Sequence, residues 1–179
     1  CQIASGQMKL GLAGGVESMS RVQMGSDGGA WSLDPDVAFR TSFIPQGVSA
    51  DLIATIDLKS RQSLDEWAVL SNKRAAKAWD EHHFKNSVIP IRDQNNLIIL
   101  HKDDNIRANT TLESLAKLPP AFLDMGKNFG YDNVALQKYP HLEKIEHHHH
   151  AGNSSALVDG AAIVMLGDET MATQLGITP

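Results

Sequence analysis

The 179 residues contain one cysteine, Cys1. This excludes an internal disulfide framework and suits a reducing compartment. No apolar stretch approaches the ~18 residues of a membrane span, so no membrane association is expected. Lysine and arginine form no cluster, and the net charge is −5 with a pI near 5.9. That distribution excludes nucleic acid as an expected partner. Neither a charged n-region nor an apolar h-region opens the chain, so no signal peptide is expected in these residues. Hydrophobic residues make up 42% and charged residues 21%, which is ordinary for a globular protein. The length allows one domain and part of another.

The stretch around which the chain reads as organised is Ala151 to Leu166, AGNSSALVDGAAIVML. Gly152, Asn153, Ser154 and Ser155 favour tight backbone and have no apolar periodicity. Ala161 to Leu166 is a short continuous apolar run of the kind that fits a fully buried strand. A loop of small residues feeding such a strand lets a ligand approach the backbone, although an unliganded strand–helix connection has the same composition. A second apolar run, Met8 to Ala13, leads into Gly14-Gly15 and is also expected to be a buried central strand. Before it, Cys1, Ile3 and Ala4 read as the end of a helix, with Gly6 in the left-handed position that terminates helices.

Between these runs, Arg21 to Phe39 reads as irregular, and Phe43 to Gly47 as a turn. Ser49 is expected to cap a short helix through Asp57. Ser63 and Glu66 form a capping-box pattern for a helix to about His83, with Trp67, Leu70, Ala75, Ala78 and Trp79 on its buried face. Val88–Arg92 and Leu97–His101 read as a hairpin, with asparagine in the left-handed turn positions. Thr110 and Glu113 give a second capping box, stopped by Pro119-Pro120. Leu123 to His150 reads as an insertion with a turn and a short helix. His147 to His150 admit three readings: an affinity tag, a metal site, or an irregular segment beside the ligand loop. The last is expected, because no cysteine accompanies the histidines and adjacent residues do not converge on one ion. Asp168 caps a helix through Leu175, ended by Gly176.

Several of these segments resemble the thiolase family. GGVESMS at 14–20 is similar to the motif after the fourth strand of the first thiolase half. AGNSS followed by VDGAA resembles the segment that lies against the pantetheine arm of coenzyme A. The order IR…TTLESLAKLPPAF resembles the pattern that holds the nucleotide end of coenzyme A. The resemblance implies Arg107, Ser114, Phe122, Ala151 and Ser155 as coenzyme A contacts. Pro45, Gln46 and Gly47 occupy the place of the acyl-group loop, where some family members carry His-Met before the glycine. That departure speaks against short-chain acetoacetyl specificity, and the insertion, together with FIPQGVSADLIAT at 43–55, resembles a bacterial subgroup that includes enzymes for bulky 3-oxoacyl-CoA.

The resemblance implies an α/β thiolase fold of two similar halves in layers. The expected division is 1–18 as the end of the N-terminal half, 19–158 as a loop domain that binds substrate, and 159–179 as the start of the C-terminal half. The implied activity is an acyltransferase of fatty acid β-oxidation. It cleaves 3-oxoacyl-CoA with coenzyme A, or condenses two acetyl-CoA, through an acyl-cysteine intermediate. Coenzyme A is then a substrate, and no cofactor and no metal are implied. The family's nucleophilic cysteine stands in a Cys-(Gly/Ser)-Ser-Gly setting, which Cys1 lacks, since Gln2-Ile3-Ala4 follows it. No catalytic residue is therefore assigned within these residues, and the fragment alone is expected to be inactive. A cytoplasmic homodimer or homotetramer is expected, GGVESMS lying near the dimer contact in the family. The alternatives are a stand-alone acyl-CoA-binding module, distinguished by flanking sequence, and a non-catalytic scaffold, distinguished by titration with coenzyme A.

Overall fold

The computed structural model describes residues 1–177, and Thr178 and Pro179 lie outside them. The chain divides into two compact units. One joins Cys1–Gly28 to the residues from Leu157 onward, and the other is Gly29–Ala156.

In the first unit, residues 2–6 form turns that close at Gly6, whose φ is +75°. The Gln7 amide donates to the Gln2 carbonyl and the Gly6 amide to that of Ile3, each at 3.0 Å. These are the two bonds of a Schellman motif. β1 (Leu10–Ser18) then runs straight through Gly14-Gly15. It pairs antiparallel with β4 (Asp159–Gly167) from Leu10↔Gly167 to Ser18↔Asp159. β1 and β4 therefore belong to one ribbon, not to separate units.

Both apolar runs are strands, but the expectation that they are buried is corrected. Every residue of β4 is exposed, and so is most of β1. Leu12, Val16, Ile163 and Val164 are among the exposed large side chains. A two-stranded ribbon has two open edges, and within the described residues only α8 (Glu169–Leu175) packs on β4. Asp168 caps α8 by accepting from the Met171 amide, and Gly176 ends it with φ +63°.

The ribbon closes beyond Ser18 at Asp159, which accepts from the Ser20 amide at 2.9 Å and the Ser20 hydroxyl at 2.5 Å. The Ser20 hydroxyl, then the Ser20 amide, hold the Asp159 carboxyl below its ordinary range; Arg21 assists and desolvation opposes. A depressed folded pKa favours the ionised form. Its stabilisation is present above the unfolded carboxyl's value of about 3.9 and is lost as pH falls through the lowered one. The Ser20 amide resonance is expected to titrate below about pH 4 in the wild type and to stay constant in Asp159→Asn.

The second unit is mostly helical. Residues 21–29 are irregular as expected, but α1 (Ala30–Leu33) and α2 (Pro35–Thr41) replace the latter part of the irregular segment. Asp34 accepts from the Asp36 and Val37 amides, and Pro35 opens α2 with its fixed φ. α3 (Gln46–Ile56) begins three residues before Ser49, so Ser49 is not its cap. The Ser49 hydroxyl instead donates back to the Pro45 carbonyl. α4 (Arg61–Asp80) is capped by Ser60, which accepts from the Ser63 amide; Ser63 lies inside the first turn. The expected apolar face of α4 is corrected in its first half, where Trp67 is 66% exposed and Leu70 is exposed while Asp65 is 3% exposed; Ala75, Ala78 and Trp79 are half-buried. The burial of Asp65 follows its polar partners, described below.

β2 (Ile91–Arg92) and β3 (Ile98–Leu100) form the expected hairpin, with Asn96 at φ +65°. α5 (Leu112–Ala116) starts from a capping box one residue later than expected: Thr111 and Ser114 are the pair, not Thr110 and Glu113. α6 (Leu123–Lys127) and α7 (Tyr131–Lys138) form the insertion. Val48 and Leu52 of α3, Ala135 of α7 and Ile145 make the buried core, with Phe122 packed against it. No helix among the described residues is long and apolar enough to cross a membrane.

Candidate functional site

The irregular segment 143–150 lies against α3 and α4, and two buried aspartates receive it. Asp51 on α3 is fully buried. Its Oδ1 accepts from the His148 and His149 amides at 2.9 and 3.0 Å and from His149 Nδ1 at 2.7 Å. Its Oδ2 faces His147 Nδ1 at 2.9 Å. A carboxylate is the side chain that can accept at both oxygens from this many donors.

His147 Nε2 lies 3.1 Å from Asp132 Oδ2, which Lys127 approaches at 3.0 Å. Both ring nitrogens of His147 thus face carboxylate oxygens. His147 bridges Asp51 and Asp132 in one buried row, and Lys127 closes its far end against Asp132. Gly126 lets the row close, because a Cβ there would collide with Asp132 and His147.

Asp65 on α4 fixes the next turn of chain. Its Oδ1 accepts from His150 Nε2 at 2.8 Å and from Asn153 Nδ2 at 3.0 Å, and its Oδ2 from Arg61 Nε at 3.1 Å. The Gly152 amide donates to His150 Nδ1 at 3.0 Å. That contact assigns the proton of His150 to Nε2 and makes the ring neutral. Arg61 also donates to the Leu115 and Leu118 carbonyls, each at 2.8 Å, tying α4 to α5. Asn153 Oδ1 accepts from the His150 amide at 2.8 Å. The side chain of Asn153 is therefore committed to the shape of the loop. Near the start of this segment, a 2.6 Å contact with the Lys144 ammonium holds the half-buried Glu146 carboxyl below its ordinary range; burial opposes the shift.

Gly152 touches the far wall. A Cβ there would meet the Leu115 and Leu118 side chains and His150. Gly152→Ala is expected to destabilise by about 1–3 kcal/mol, the usual range for overpacking a tight contact. Thermal unfolding checks this, and an unchanged midpoint counts against so close a contact.

Two cavities flank the loop. The first, about 400 Å³, is lined by Asn72, Arg107, Thr110, Ser114, Ala151 and Ser154. Asn72 of α4 accepts from the Arg107 amide at 2.9 Å, which fixes the backbone of Arg107. The Arg107 side chain is exposed and makes no ion pair among the described residues. The second, about 350 Å³, is lined by Trp67, Asn72, His149, Asn153, Ser154 and Ser155. Ser154 borders both, and its Oγ is buried without a protein partner among the described residues.

The structure thus brings Arg107, Ser114 and Ala151 to one cavity and Ser155 to the neighbouring one. The Ser114 hydroxyl is engaged in the α5 cap, accepting from the Thr111 amide and donating to its carbonyl. Phe122 lines neither cavity; it packs on the core and against Gly47, where a Cβ would strike its ring. Pro45 and Gln46 open α3 and also line neither cavity. Asn72, Trp67, Ser154 and His149 are lining residues that the sequence reading does not assign to ligand contact. Ser154 carried a signal in its place beside Ser155 in AGNSS, and His149 in the segment expected to lie beside the ligand loop. Among the described residues, no group of three or more His, Cys, Asp or Glu is arranged to hold a metal ion.

Residues 1–129 match the family described as "Thiolase, N-terminal domain". The chain belongs to the thiolase family. It is 33% identical to the rat protein "3-ketoacyl-CoA thiolase A, peroxisomal", over 98% of this chain and 37% of that protein. The human protein "3-ketoacyl-CoA thiolase, peroxisomal" is 31% identical over 98% of this chain and 38% of its own length. The crystal structure of the dimeric peroxisomal thiolase of Saccharomyces cerevisiae superposes with a TM-score of 0.70 at 27% identity, covering 99% of this chain and 40% of that one. Human mitochondrial 3-ketoacyl-CoA thiolase, solved in complex with CoA, gives 0.66 at 25% identity, covering 99% and 42%. The chain therefore has part of the α/β thiolase fold, and it spans about two fifths of these relatives.

Proposed function

We propose that the intact protein is a thiolase that cleaves 3-oxoacyl-CoA with coenzyme A, or condenses two acetyl-CoA, through an acyl-cysteine intermediate. In this reading the chain supplies coenzyme A contacts rather than the nucleophile. Arg107 meets the nucleotide phosphates as a charged fork, Ser114 and Phe122 belong to the same nucleotide end, and Ala151 and Ser155 meet the pantetheine arm. Pro45, Gln46 and Gly47 belong to the acyl end. The observation that carries the reading is the cavity that joins Arg107 to the small-residue loop, in a chain whose relatives are named as 3-ketoacyl-CoA thiolases.

Of the expected division, 1–18 as the end of the N-terminal half and 19–158 as a loop domain are part of the proposal, and 159–179 is the segment expected to start the C-terminal half. The pairing of β4 with β1 supports placing that final segment with the first half rather than opening a second. A homodimer or homotetramer is proposed on the dimeric yeast relative. A cytoplasmic location rests on the single cysteine, set against relatives named as peroxisomal. The test is thiolysis of a 3-oxoacyl-CoA by the intact protein, followed as loss of the substrate with added coenzyme A. Binding of coenzyme A without turnover would point instead to an acyl-CoA-binding module.

A further inference from the structure

We infer that His149 is a ligand-contacting residue: Asp51 holds its Nδ1, and its Nε2 accepts a hydrogen bond from an amide N–H of the pantetheine arm in the cavity beside Ser155. The inference rests on the coenzyme A reading above and deepens it.

His149 is set apart from its neighbours by what its ring faces. His147 is engaged at both nitrogens by Asp51 and Asp132, and His150 at both by Asp65 and Gly152. His149 is engaged at one. Its Nδ1 lies 2.7 Å from Asp51 Oδ1, and its Nε2 has no partner among the described residues. The residue borders the 350 Å³ cavity with Trp67, Asn153, Ser154 and Ser155. An Asp–His contact of this form places the proton on Nδ1 and leaves the Nε2 lone pair as an acceptor. Its orientation is set in advance, since Asp51 is fully buried and also holds the His148 and His149 amides. The ring therefore loses little freedom on binding.

The cavity supplies a second polar feature, the buried and unpartnered Ser154 Oγ. Its wall also carries the exposed apolar face of Trp67. A ligand that matches all three is a slender chain with amide groups along an apolar backbone, which is the chemistry of pantetheine. Nothing in the arrangement requires a charge on that part of the ligand. The charge is met in the other cavity, by Arg107.

The experiment uses the intact protein and two probes, coenzyme A and pantetheine, with the variants His149→Asn and His149→Phe. Asparagine keeps a donor at the position of Nδ1, preserving the Asp51 contact, but lacks the outward nitrogen. Loss of one neutral hydrogen bond is expected to weaken both probes about five-fold in His149→Asn, with the unfolding midpoint unchanged. In wild type labelled with ¹⁵N at histidine, the one Nε2 resonance absent from His149→Asn is expected to shift on adding pantetheine. A purely structural histidine moves neither readout. Wild-type affinity for pantetheine in His149→Asn, or an unmoved Nε2 resonance, overturns the inference even if His149→Phe fails to fold. If the wild type binds neither probe, the coenzyme A reading itself is wrong and this inference falls with it.

Discussion

Asp51→Ala is expected to lower the unfolding free energy of the intact protein by about 3–5 kcal/mol, the range for removing one partner from a buried charged cluster. Two backbone amides and two imidazole nitrogens lose their acceptor at once, and none can turn to solvent around a fully buried position. His147 Nδ1 is left facing the hole, while its Nε2 keeps Asp132. Asp51→Asn should cost less, because its amide oxygen still accepts from the His148 and His149 amides while its NH₂ opposes His147. Urea unfolding of wild type and both variants, at equal m-value, measures the difference. A loss below 1 kcal/mol for Asp51→Ala would show that the His147–His149 segment is held by its apolar flank at Ile145 rather than by the carboxylate.

Arg107→Ala is expected to weaken coenzyme A binding by about 1.5–3 kcal/mol, the range for a charge-assisted hydrogen bond. Ser155→Ala, losing a neutral bond, should cost about 1 kcal/mol. The structure supports the larger figure through position: the backbone of Arg107 is held by Asn72, and no internal partner competes for its guanidinium among the described residues. The side chain is exposed, so the effect should shrink with added salt. It should also shrink for a ligand lacking the 3′-phosphate, if that phosphate is the partner. Titration of both variants with coenzyme A and its dephosphorylated form, at two salt concentrations, separates these outcomes. Equal affinity of wild type and Arg107→Ala for coenzyme A returns Arg107 to the class of ordinary surface charges.

The sequence by itself determined the features whose partners lie within a few residues. The turn at Gly6, the hairpin with its left-handed Asn96 and the cap of Asp168 are each closed by hydrogen bonds of short range, so residue type and spacing expose them. The same holds in coarser form for the α4 and α5 caps, where the serine or threonine was legible and its register was not. The helix opened by Asp34-Pro35 was missed although its signal was local. The family motifs were legible for a related reason, being contiguous strings. Tertiary structure alone decided the rest. Asp51 and His149 are 98 residues apart, and no spacing rule links them. The burial of Asp65 in place of Trp67 on α4 likewise depends on His150 and Asn153 arriving from far along the chain. Phe122 stands with the core rather than with Arg107 because α3 and α7 pack around it, a contact that a linear motif cannot display. The exposure of β4 was illegible for the opposite reason: an apolar run reports what a strand is suited to bury against, and burial itself requires a neighbour.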